Sequence, residues 1–83
     1  MTYKGRILLV DDDEMVRKIY AATFNHAGYL TTTCADLSCM RESLVNHSYD
    51  AVFLDLNLGR ENGLDGLPYV LKNAPYSKVF IIS

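Results

Sequence analysis

Long apolar runs are missing from this 83-residue chain, and no stretch of 18 apolar residues occurs anywhere. That removes a membrane-spanning helix from the sequence reading, and the opening "MTYKGRILLV" lacks the apolar length of a secretory signal. An excess of basic charge is also missing: eight Lys and Arg against ten Asp and Glu give a net charge of −2. The basic residues are scattered, which argues against a nucleic-acid or anionic-membrane footprint. Cysteine is scarce. Cys34 and Cys39 close too small a loop to read as a disulfide framework, so two buried thiols in a reducing cytosol are expected. No internal repeat, linker, low-complexity tract or G-x-G-x-x-G loop appears. The expectation is a single soluble, cytoplasmic domain with a small core.

What is present is an alternation of two patterns. "GRILLV" (5–10) is a continuous apolar run, as in a strand buried on both faces. Val16, Ile19, Tyr20, Phe24 and Ala27 then recur at helical spacing, with Asp13 and Glu14 in the first turn and Gly28 at the stop. "LTTTC" (30–34) is β-branched and more polar, which suits an edge strand. Leu37, Met40, Leu44 and Val45 mark a second helix, with Asp36 as its N-cap. "DAVFLD" (50–55) is a third strand. Leu64, Leu67, Val70 and Leu71 mark a third helix. With Asp65 as N-cap, Pro68 would fall in its first turn, after an irregular lead-in from Gly59 to Leu64. "SKVFIIS" (77–83) is the fourth strand. The order βαβαβαβ predicts an α/β fold with a parallel sheet and helices on both faces.

Ligands of open parallel sheets sit beyond the carboxyl ends of the strands. Asp11 and Asp12 follow the first strand and Asp55 follows the third. If those strands are neighbours, three carboxylates converge. Unit charges ~5 Å apart repel by about 3 kcal/mol at an effective dielectric of ~20. A cation among them would remove that penalty, and oxygen ligands of this kind suit Mg²⁺.

"ILLVDDDEMVRKIY", then "YDAVFLDLNLGRENGL", then "KVFIIS" together resemble the receiver domain of two-component response regulators across the whole chain. The resemblance implies a flavodoxin-like open sheet of strand order 2-1-3-4. It implies that Asp55 is the phosphoacceptor, that Asp11 and Asp12 hold Mg²⁺, and that Asn57 adds its backbone carbonyl. Ser83 would hydrogen-bond the phosphoryl group, and Gly63 matches the glycine that opens the third helix. The implied partner is a sensor histidine kinase. His26 and His47, late in helices one and two, are expected to serve the helix C-termini.

Two departures stand out. Gly59 occupies a position where many relatives carry proline. Residues 1–83 also match a receiver truncated after the fourth strand, lacking the last α-β-α and the lysine that ends strand five. Lys4, Lys18, Lys72 and Lys78 do not replace that lysine. Removing one such donor typically slows transfer by about 10²–10³. The fourth strand would become an exposed edge and the inner face of helix one would be uncovered, so a homodimer through either surface is expected. The alternative function is a degenerate receiver acting only as an interaction or dimerisation unit. A haloacid-dehalogenase-type hydrolase is disfavoured, because Asn57 and Gly59 replace the acid and hydroxyl that family needs.

Overall fold

The computed structural model describes residues 2–82, so Ser83 lies outside the described residues. Four parallel strands form the main sheet: β1 (Arg6–Val10), β2 (Leu30–Cys34), β3 (Ala51–Asp55) and β6 (Lys78–Ile82), in the order β2-β1-β3-β6. That is the expected 2-1-3-4 order, with β1 beside β3. A short hairpin of β4 (Asn57–Leu58) and β5 (Glu61–Asn62) follows β3.

Leu8, Leu9, Val10, Val52 and Leu54 are fully buried. Each such side chain contributes about 1.5–3 kcal/mol relative to exposure. On one side of the sheet the core closes over Leu37, Met40 and Leu44 of α2 (Leu37–Asn46) and Val70 of α3 (Leu67–Asn73). Tyr49 and Leu58 join that core from outside the expected stripes. Val45, by contrast, is exposed, as are Leu64 and Leu71. The expected apolar stripes of the second and third helices are therefore narrower than the sequence pattern suggested.

On the other side, among the described residues, α1 (Glu14–His26) is the single helix. None of its residues is fully buried, and Ile19 is 54% exposed. Phe24 of α1 packs on Phe53, which stacks on Phe80 of β6 at 4.7 Å. Phe80 itself stays 45% exposed. An open groove lies over this aromatic row, with Lys4 and Lys78 among its walls. The face of α1 toward the sheet is thus only partly covered, through Phe24.

Helix ends follow local chemistry. Asp13 is the N-cap of α1, accepting the amides of Met15 and Val16, rather than a first-turn acid as expected; Glu14 takes that place. Gly28 ends α1 with φ +103°, a conformation that favours glycine. Asp36 caps α2 through the Cys39 amide. The third helix corrects the sequence reading. Asn62, not Asp65, provides the side-chain cap, and it caps a 3₁₀ turn over Gly63–Gly66. The helix α3 then starts from Gly66 with Pro68 in its first turn. Pro68 loses no hydrogen bond there, which agrees with the expectation.

The cysteines give a second correction. Cys34 and Cys39 are bonded through their sulfurs, with Cα atoms 5.5 Å apart. The expected pair of free thiols fails because residues 35–38 turn back from the end of β2 into the first turn of α2. That brings two positions five apart in sequence within disulfide reach.

Candidate functional site

β1 and β3 are in register from Ile7↔Ala51 to Val10↔Leu54. Asp11 and Asp55 each directly follow a paired residue at the same end of the sheet, so the strand pairing itself brings their side chains together. Asp12 completes the group. One carboxylate oxygen from each of Asp11, Asp12 and Asp55 lies within 4.8 Å of the other two. Asp11 and Asp55 are buried, at 5% and 7% exposure, whereas Asp12 faces solvent.

Backbone amides orient the two buried acids. The Asp13 amide donates to Asp11 Oδ1 at 2.9 Å, and the Asn57 amide donates to Asp55 Oδ1 at 3.0 Å. The three acids line a hollow of about 290 Å³ together with Asp13, Val16, Tyr20, Asn57 and Ile82. Burial, then the charges of Asp55 and Asp12, push the Asp11 carboxyl above its ordinary value of 3.8, against the lowering effect of the Asp13 amide.

Among the described residues no Lys or Arg side chain forms an ion pair with these acids. Arg17 donates to the Asp11 backbone carbonyl at 2.8 Å rather than to a carboxylate. Three clustered, mutually repelling carboxylates with no side-chain cation paired to them are the donor set of a hard divalent ion. The residues present therefore fit Mg²⁺.

The loop after Asp55 is built to stay close. The Gly63 amide donates to the Leu56 carbonyl at 2.8 Å, and a Cβ at Gly63 would fall on the Asp55 carbonyl oxygen. Gly63 thus does more than open a helical turn: it lets residues 63–66 pass against the end of β3. The β4–β5 hairpin turns over Gly59 and Arg60, because Leu58 pairs with Glu61. Gly59 has φ +63°, and no non-glycine residue among those described has positive φ. This is the Gly-X two-residue hairpin pattern, and proline could not adopt that φ. The departure at Gly59 thus has a local cause, and the "LGRE" stretch carried the signal for the unexpected hairpin.

The structure brings together Asp11, Asp12, Asp55 and Asn57, as expected. Ser83 is outside the described residues, but Ile82, which precedes it, is paired in register with Asp55. Lys4 and Lys78 line the groove over the aromatic row, and neither is among the residues that line the acidic hollow. The sequence reading missed Arg17 and the Glu61 side chain, which accepts the Leu37 amide at 3.1 Å and ties α2 to the hairpin.

Known proteins are similar to this chain in sequence and fold. The family described as "Response regulator receiver domain" matches residues 7–83. The alginate biosynthesis transcriptional regulatory protein AlgB of Pseudomonas aeruginosa is 35% identical over 80 residues, covering 96% of this chain but 18% of AlgB. The chain thus spans about a fifth of that relative. Among solved structures, NtrX from Brucella abortus in complex with ATP superposes with a TM-score of 0.89 at 31% identity, over 95% of this chain and 18% of that one. The response regulator TrrA from Thermotoga maritima, in complex with Mg²⁺-BeF, gives a TM-score of 0.81 at 26% identity, over 89% of this chain and 64% of that one. With parallel strand order, acidic strand ends and this match across nearly all its length, the chain belongs to the response regulator receiver domain family.

Proposed function

We propose that residues 1–83 act as a receiver unit, the phosphoacceptor of a two-component phosphorelay. A carboxylate oxygen of Asp55 attacks the phosphorus of a phosphohistidine on a sensor histidine kinase. The P–N bond breaks as the new P–O bond forms, and the histidine nitrogen leaves with its electron pair. The observation that carries this reading is the gathering of Asp11, Asp12 and Asp55 within 4.8 Å at one end of the sheet.

Asp11, Asp12, Asp55 and the backbone carbonyl of Asn57 would hold Mg²⁺. When bound, the ion offsets the repulsion between the acidic hollow and an anionic donor. The chain's own contribution is positioning. Strand β3 fixes Asp55, and the Asn57 amide holds Oδ1, which orients the carboxylate. In this reading Ser83 donates its hydroxyl to the phosphoryl group. The unit passes on a signal and has no external turnover. It works in the cytoplasm and makes no direct contact with nucleic acid or membrane; among the described residues no helix is long and apolar enough to cross one.

A second copy of the chain is the other proposed partner. Phe80 and Ile81 of the edge strand β6 and Ile19 of α1 are exposed apolar side chains. They offer a sheet edge and a helix face to another molecule.

The alternative is a receiver that serves only as an interaction unit, with Phe80, Ile81 and Ile19 as its exposed apolar contacts. Incubation with acetyl phosphate and Mg²⁺, read by intact mass and peptide mapping, separates the two. The phosphoacceptor reading expects one added phosphoryl group on Asp55, lost in Asp55→Asn and without Mg²⁺. An unmodified wild-type chain would favour the interaction unit.

A further inference from the structure

The Cys34–Cys39 pair stands where two structural ties to the acidic hollow meet. Cys34 is the last residue of β2, and its carbonyl accepts the Asp11 amide at 3.0 Å. Cys39 lies in the first turn of α2, where its amide is held by Asp36 at 2.8 Å. Between them, the Leu37 amide donates to Glu61 of the hairpin at 3.1 Å. That hairpin pairs Asn62 with Asn57, whose amide orients Asp55. The five-residue step from Cys34 to Cys39 therefore touches both sides of the hollow, through Asp11 and through the hairpin. Covalent closure of this step restricts local opening of the α2 N-terminus.

We infer that Cys34 and Cys39 form a reversible thiol–disulfide site whose state sets the order of the Asp11 and Leu37 backbone bonds and, through them, the acidic hollow. The substrate class is a low-molecular-weight disulfide. Cys34 is buried, whereas Cys39 is half-buried, so Cys39 is the entry sulfur. Its thiolate attacks one sulfur of the external disulfide and the S–S bond breaks, releasing one thiolate. The Cys34 thiolate then attacks the Cys39 sulfur, forming the internal bond and releasing the second thiolate. The two protons lost by the cysteines end on the two released thiols. An external dithiol reverses the sequence and is itself oxidised.

Two readouts test the site. The first is independent of any metal. The chain is equilibrated with oxidised glutathione or with dithiothreitol, alkylated and weighed, and backbone exchange is followed by NMR. The bridged form is expected to lack alkylation and to exchange the Asp11 and Leu37 amides more slowly, by roughly tenfold or more. Cys39→Ser, and Cys39→Ala as a second variant, should exchange these amides as fast as the reduced wild type in either buffer. Alkylation of both cysteines in oxidised glutathione, or equal exchange rates in the two states, overturns the inference. The second readout rests on the metal reading above: Mg²⁺ affinity by calorimetry should be about threefold or more tighter in the bridged form. Equal affinities refute coupling to the hollow. Absence of Mg²⁺ binding in both states refutes that coupling and the metal reading together, whereas the bridge is judged by mass alone.

Discussion

Asp12→Asn should stabilise the metal-free protein and destabilise it, relative to wild type, once Mg²⁺ is added. The carboxylate oxygens of Asp11, Asp12 and Asp55 lie no more than 4.8 Å apart. At that separation each charged pair costs about 3.5 kcal/mol at an effective dielectric of ~20, and about 0.9 kcal/mol in bulk water. Asn at position 12 removes two such pairs. Asp12 faces solvent, so the lower end applies, and a net gain of about 2 kcal/mol is expected. In a domain of this size that raises Tm by roughly 8–16 °C. Asp12 is the informative choice because the buried Asp11 also holds the Asp13 amide, so changing Asp11 disturbs the turn as well. The assay is a thermal melt near pH 8 in EDTA, then in rising Mg²⁺. Wild type should gain about 2.7 kcal/mol when free Mg²⁺ reaches ~100 times its dissociation constant. The variant, one ligand short, should gain little, so the two melting curves cross. A variant less stable than wild type in EDTA, or stabilised equally by Mg²⁺, would refute the electrostatic reasoning.

Other perturbations probe separate features. The Asp11 carboxyl is raised above 3.8 by burial and by its acidic neighbours, so the folded state binds more protons than the unfolded chain above that pH. Its contribution to metal-free stability is therefore greatest on the acid side and falls as pH rises through the raised value; Asp11→Asn should flatten that part of the urea midpoint against pH, and an unchanged slope would contradict the assignment. Gly63→Ala places a methyl group on the Asp55 carbonyl oxygen and should cost about 3 kcal/mol in urea unfolding. Gly59→Asn keeps a residue tolerant of the +63° φ and should cost less than about 1 kcal/mol; equal losses at the two glycines would count against this reading of the loop. Sedimentation at micromolar concentration should show a dimer for wild type and a monomer for Phe80→Lys, and a monomeric wild type would exclude the second copy as partner.

The parts of the fold legible in the sequence are those set by long-period burial. In "RILLV" the residues after Arg6 are apolar without alternation because both faces of β1 are covered. In "AVFLD" Val52 and Leu54 are buried while Ala51 and Phe53, beside the open groove, are half-buried. Asp11 and Asp55 mark the strand ends. The edge position of β2 was legible from its threonines. Local competition hid other features. Asn62 and Asp65 both suit an N-cap, but the chain forms a 3₁₀ turn over Gly63–Gly66, with no room for a Cβ at Gly63 beside the Asp55 carbonyl, and Asn62 sits at its start. Val45, Leu64 and Leu71 obey helical spacing yet point outward, because spacing gives a face and not its width. Tyr49 lies outside any periodic stripe, and its burial comes from the turn into β3. The cysteine bond was hidden because it depends on how the 35–38 turn folds back, which residue spacing does not determine. The site acids were legible as a group because they end adjacent strands. Arg17 was not, since its partner is a backbone carbonyl that any residue supplies.

Crystals soaked in Mn²⁺, a spectroscopic substitute for Mg²⁺, and measured near the manganese absorption edge test the central claim most directly. The account predicts one anomalous peak bonded to oxygens of Asp11, Asp12 and Asp55 and to the Asn57 carbonyl. Carboxylates still clustered but with no peak between them at saturating Mn²⁺ would contradict it.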